Sequence, residues 1–169
     1  MSTEPLIEHR SMKDAFFRGS DQSPLPVDLR ATFGGLAYFD PNPRLVFDVQ
    51  PEIVEPTRVS IRTTGGESRT YDRVATVSFQ VDEDAITLAL FSSGHESWFL
   101  PFRDHTSGKQ TYGAGRYLDV DPPEAGIVTI DFNYAYAPYC AYSDAYSCAL
   151  PPSENWMDAV ILAGERTAE

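Results

Sequence analysis

Polar and apolar positions alternate with a period of two through the middle of the chain. Val59 and Ile61 are interleaved with Arg58, Ser60 and Arg62, and Gly65-Gly66 follows as a hairpin turn. Val77, Phe79 and Val81 mark one face of a second strand over residues 74–81. Asp82-Glu83-Asp84 is a polar turn, and Ile86, Leu88 and Leu90 mark a third strand over 86–91. The pattern predicts an antiparallel meander. Ser92-Ser93-Gly94 interrupts it, and strand character returns at 98–103, 116–120 and 127–131. A final apolar run over 156–162 reads as a strand returning to the sheet. Upstream, residues 44–49 read as a strand closed by Pro51, and 36–39 form a short apolar piece among turn signals.

The period changes at both ends. Leu6, Ile7, Met12, Ala15, Phe16 and Phe17 sit at helical spacing, so residues 4–18 read as an amphipathic helix that stops at Gly19-Ser20. Thr3 with Pro5 fits a capped start. Residues 133–153 follow neither period. A structureless segment of that length inside a folded domain is usually functional or disordered. Tyr134, Tyr136, Tyr139, Tyr142 and Tyr146, with Cys140, Cys148 and Leu150, are residues that pack, which excludes disorder. The expected architecture is mainly β, an antiparallel β-sandwich or partly open β-barrel with one N-terminal helix and a long irregular C-terminal loop. The helix, residues 1–19, packs on a single β domain over 20–169, in which region 102–166 holds the chemistry.

With 169 residues, the chain is long enough to bury a core without disulfides or metals. Its formal charge of −12 argues against nucleic acid and anionic membranes, which need a cationic face. Only Lys13 and Lys109 among 13 basic residues are lysine, and the 25 carboxylates are dispersed along the chain. That distribution fits the surface of a protein from a high-salt cytoplasm, where salt screens self-repulsion. No apolar stretch is long enough to span a bilayer, and the N-terminus has no signal-peptide core. The expectation is a soluble, cytoplasmic protein with reduced cysteines.

Arginines, carboxylates, amides and tyrosines concentrate in 102–166. Arg103 and Arg116 offer planar forks of donors suited to a carboxylate or phosphate. Asp104, Asp131 and Glu165 can orient those forks, take substrate hydroxyls or act as a general base. Asn133 and Asn155 fix orientation, and Tyr112 and Tyr136 suit a pocket wall. These residues make up the expected binding set for a small polar, anionic ligand. A buried network satisfying irregular backbone is the structural alternative. Two further alternatives are a metal-independent hydrolase using Asp104 or Asp131, and an interaction module without a ligand. Seven residues separate Cys140 from Cys148, which is not a zinc spacing. A disulfide pinning the loop and a pair of buried thiols both remain open. There is no nucleophile elbow, and Gly113-Ala114-Gly115-Arg116 is not a phosphate loop. No cofactor is implied.

Many short motifs occur in register over 102–166. They include Phe102-Arg103-Asp104, Thr106-Ser107-Gly108-Lys109, Thr111-Tyr112-Gly113-Ala114-Gly115-Arg116-Tyr117, Asp131-Phe132-Asn133, Cys140-Ala141-Tyr142, Leu150-Pro151-Pro152 and Ala163-Gly164-Glu165. Together they resemble the signature of the prokaryotic domain-of-unknown-function 1684 family, and the likeness continues more weakly from about residue 30. The resemblance names a family without naming a reaction. Longer members carry an extra N-terminal β module, so this sequence resembles a minimal version of the shared domain. His105 stands where the family pattern is apolar, and Tyr134 and Ala137 stand where it favours Arg and Asn.

Overall fold

Five antiparallel strands form the central sheet of the computed structural model, which describes residues 2–168. They are β3 (Glu52–Arg62), β4 (Ser68–Val81), β5 (Asp84–Ser92), β6 (Trp98–Phe102) and β7 (Arg116–Val120), joined in sequence order as an open meander. The period-two segments are the strands, and Gly65-Gly66 lies in the turn between β3 and β4, with Gly66 at φ 92°. Two short ladders complete the β structure. β2 (Val46–Val49) pairs with β8 (Val128–Asp131), and β1 (Ala37–Tyr38) pairs with β9 (Glu165–Arg166). The sheets do not close into a barrel, so of the two expected architectures the sandwich-like one holds.

The sheet has two covered faces. On one, Val77, Leu88, Leu90, Leu100, Phe102, Leu118 and Val120 meet Val128, Ile130 and Phe132 from the β2–β8 layer. Phe47 of β2 stacks on Phe79 of β4 at 4.5 Å, fixing the layers together. On the other, Ile61, Ala89, Phe91 and Tyr117 meet Cys148 and Ala149, with Tyr71, Phe99 and Tyr136 packed against them. The irregular segment after β8 therefore covers the second face, tied down where Tyr136 and Tyr117 exchange backbone hydrogen bonds and where Ala149 bridges to Thr63.

Helix α1 (Glu4–Gly19) forms as expected, but Thr3 makes no side-chain cap. Only Leu6 and Phe17 are buried on it, and polar ties hold it instead: Arg10 donates to the Phe39 carbonyl, Asp14 accepts from Leu36 N, and Lys13 pairs with Glu165. A short helix α2, Val27–Arg30, was not evident from the pattern.

Residues 156–162 form no strand ladder. Met157, Ala159 and Ile161 alternate inward while Trp156, Val160 and Leu162 face out, which explains the strand-like sequence. Their neighbour is a turn and a set of side chains: Met157 N donates to the Arg103 carbonyl, His105 N to the Ala159 carbonyl, and Ile161 N to the Asp104 carboxylate. An extended segment can satisfy its backbone on a turn and on side chains without joining a ladder.

Candidate functional site

Five of the seven charged and amide residues in the expected binding set, Asp104, Arg116, Asn133, Asn155 and Glu165, lie inside the protein. Arg116, the first residue of β7, is 1% exposed. Its Nη1 donates to the carbonyls of Ala163 and Glu165, and its Nη2 to the carbonyl of Ile161 at 3.0 Å and to Asp104 Oδ1 at 3.5 Å. Asp104 also accepts from the Thr106 hydroxyl and Ile161 N, each at 2.9 Å. Burial pushes the Arg116 guanidinium below its usual value, and the Asp104 carboxylate opposes that shift. Gly115 immediately before it has φ 104°, and a Cβ there would lie 2.5 Å from the Phe102 carbonyl. Glycine is what lets β7 start in this tight corner.

Asn155 is fully buried and bonds Ala89 through both its amide N and carbonyl O, at 2.9 and 2.8 Å, and the Pro101 carbonyl at 2.8 Å. It bridges the facing edges of β5 and β6, which are neighbours in the sheet but pair directly only at Phe91 and Phe99. Asn133 makes a similar pair with the backbone of Asn42, at 2.8 and 3.0 Å, and also donates to Asp131. Asp131 caps the 3-10 turn at Asn133. Glu165 is 1% exposed, paired with Lys13 and accepting from the Tyr142 hydroxyl. Arg103 lies over the Trp156 ring, 4.8 Å from its centre. None of Arg103, Asp104, Arg116, Asn133 or Asn155 borders any of the cavities described below.

The open space lies on the second face of the sheet. Two adjoining cavities of about 580 and 520 Å³ share Arg69, Tyr117, Asp119, Tyr136 and Cys148 as walls. Their floor is aromatic: Tyr71 stacks on Phe99 at 5.5 Å, and Phe99, Tyr117 and Tyr136 follow in edge contacts at 4.7 and 5.8 Å. Tyr136 donates to Asp119 Oδ1 at 3.0 Å. Burial, then Asp119, keep the Tyr136 hydroxyl protonated far above the usual tyrosine range. A third cavity of about 430 Å³ continues past Tyr136 and Asp119 to Asp131 and Tyr134.

The basic side chains around this cleft come from elsewhere in the chain. Arg69 reaches in from β4, holding the Ser147 carbonyl. His9 and Lys13 descend from α1, Lys13 lying 4.7 Å over the Tyr136 ring, and His95 stands at the far rim. Burial, with Lys13 next, pulls the His9 pKa below its ordinary value. Of the expected binding residues, the structure brings Tyr136 and Asp131 to this region, while Tyr112 and Glu165 line a separate cavity of about 410 Å³ under α2's loop. Arg69, Tyr71, Tyr117 and Asp119 were missed. Their sequence signal was the alternation itself, because Arg69 and Tyr71, then Tyr117 and Asp119, are i, i+2 pairs on the face opposite the main core.

Both cysteines are free thiols. Cys148 is buried with its backbone tied to Thr64, and the amide of Cys140 points at the Cys148 sulfur, 3.3 Å away. The Tyr112 hydroxyl donates to Cys140 Sγ at 3.4 Å. Among the described residues no three His, Cys, Asp or Glu side chains converge where a metal ion could sit, and no helix is long and apolar enough to cross a membrane.

The fold and the buried Arg116–Asp104 arrangement define a β-sandwich-like protein with an irregular covering segment, and comparison with known proteins places it. Residues 31–166 match the family model described as protein of unknown function (DUF1684), and the chain belongs to that family. It is similar to the solution NMR structure of an uncharacterised protein from Haloarcula marismortui, a halophile, at 41% identity and a TM-score of 0.75. That likeness covers 97% of this chain and 93% of the other. No curated protein matches it significantly.

Proposed function

We propose that this protein binds a small polar, anionic molecule in the aromatic cleft between β4, β7 and the segment 136–148. The observation that carries this reading is an aromatic wall with Arg69 and Lys13 beside it in a chain of net charge −12. His9 and His95 also border the paired cavities, and Asp119 and Glu96 are their carboxylates. Arg69 and Lys13 offset Asp119 and Glu96 on these walls, where the chain as a whole is strongly acidic, and cations over aromatic walls favour anionic ligands with a flat or apolar body. Arg69 would hold the anionic group, Tyr71, Phe99, Tyr117 and Tyr136 the body, and Asp119 a hydroxyl or other donor. The volumes suit a molecule of metabolite size.

Binding is favoured over hydrolysis by the state of the two candidate bases. Asp104 is enclosed with Arg116, Thr106 and Ile161 N, and one oxygen of Asp131 is committed to Asn133. A thermal-shift panel of small carboxylates, sulfonates and phosphates tests the reading. At least one class is expected to raise Tm in wild type and to lose that effect in Arg69→Met, with the unliganded Tm little changed. A ligand response that survives Arg69→Met would move the site elsewhere.

A further inference from the structure

Cys140 and Cys148 are free thiols whose chemistry ligand binding in the cleft does not use. Cys148 Sγ lies 3.3 Å from Cys140 N, which puts it within about 4.8 Å of Cys140 Cα once the N–Cα bond is added. Cys140 carries its own sulfur one Cβ away from that Cα, so a change of its side-chain rotamer is enough to bring the two sulfurs together. Cys148 is anchored, since its N–H bonds Thr64 Oγ1 at 3.1 Å and its carbonyl accepts from Thr64 N at 2.9 Å. Cys140 sits in the one-turn 3-10 helix Tyr139–Ala141 and is half-buried, the more exposed of the two. A hydroxyl donor already points at Cys140 sulfur from Tyr112.

We infer that Cys140 and Cys148 form a reversibly oxidisable dithiol, a modification site for hydroperoxides at the edge of the covering segment. Cys140 is the attacking sulfur and Cys148 the resolving one. The Cys140 thiolate attacks one peroxide oxygen and the O–O bond breaks. Cys140 becomes a sulfenic acid, and hydroxide leaves and takes up a proton as water. The Cys148 sulfur then attacks Cys140 Sγ, the S–O bond breaks, and the hydroxyl departs as water with the Cys148 proton. Two thiols lose two electrons in all, and hydrogen peroxide is reduced to two waters. Burial pushes the Cys148 thiol above its usual value, the Cys140 N–H works against that shift, and the Cys140 thiol adds to it, in keeping with the resolving role. The ring so closed, 140–148, includes Tyr146 and Ser147 on the cleft wall, so oxidation would stiffen that wall.

The test is intact-mass analysis of the full chain exposed to dilute hydrogen peroxide, then alkylated under denaturing conditions. The expected product is a monomer lighter by two hydrogens that takes no alkyl group, is restored by a dithiol reductant, and melts several degrees higher before reduction. Cys148→Ser should trap a sulfenic acid at Cys140 that a cyclic diketone labels, and Cys140→Ser should give no such label at Cys148. The inference is overturned if both thiols still alkylate fully after peroxide. It is equally overturned if disulfides form only between chains, or if Cys140 passes to sulfinic acid while Cys148 stays free.

Discussion

Arg116 illustrates how a residue that looks like a ligand anchor can act as scaffold. Its guanidinium ends up facing three carbonyls of the segment Ile161–Glu165 and the Asp104 carboxylate, with 1% of its surface exposed. Removing one partner of a buried pair strands the other, so Arg116→Met is expected to cost about 3–5 kcal/mol, read from urea unfolding. A loss below about 1 kcal/mol would contradict the assignment. Asn155→Ala should cost at least about 2 kcal/mol for the same reason, because the Ala89 and Pro101 groups it serves have no water to turn to. The sequence displayed these residues as a cluster. It could not display their burial, since an arginine that grips backbone and one that grips a ligand use the same fork of donors.

Elements were legible where local period and packing agreed. The meander shows this: Val77, Leu88 and Leu90 face one core, as their alternation predicts, and short turns join β3 to β4 and β4 to β5. Residues 156–162 show the opposite case. Their alternation is real, but a turn and the Asp104 side chain take the place of the neighbouring strand, which no local pattern encodes. The aperiodic run after β8 was legible as a packed segment through its tyrosines, while the face it covers was not. Those tyrosines make a prediction at this scale. Burial is the first cause that raises the ionisation of Tyr117, Tyr136 and Tyr142 well above 10. The folded state therefore keeps protons that the unfolded chain releases near pH 10, and stability present below that pH is lost as pH rises above it. Tyrosinate absorbance should appear together with loss of the circular dichroism signal. Ionisation of most tyrosines near pH 10 in a still-folded protein would refute the packing of the covering segment. His9 works in the other direction: its lowered pKa makes the fold lose stability as pH falls below about 6.5, and His9→Gln should lessen that loss.

For the whole molecule, charge and cleft have to be considered together. A net charge of −12 with carboxylates spread over the surface disfavours the compact state at low ionic strength, where the screening length is about 10 Å at 0.1 M salt. Tm should climb as KCl is raised toward molar concentrations, and a flat response would show that self-repulsion has little weight. Against that field, the meeting of Arg69 and Lys13 beside an aromatic wall is the feature that composition alone would never suggest, because the two come from β4 and α1. The most direct test of its role is an amide chemical-shift map of the labelled protein titrated with the best anion from the thermal-shift panel. The account predicts saturable shifts centred on Arg69, Tyr71, Tyr117, Asp119 and Tyr136, with Gly115 and Arg116 unmoved. Shifts centred instead on Arg103 and Trp156, or none at all with any anion class, would contradict it.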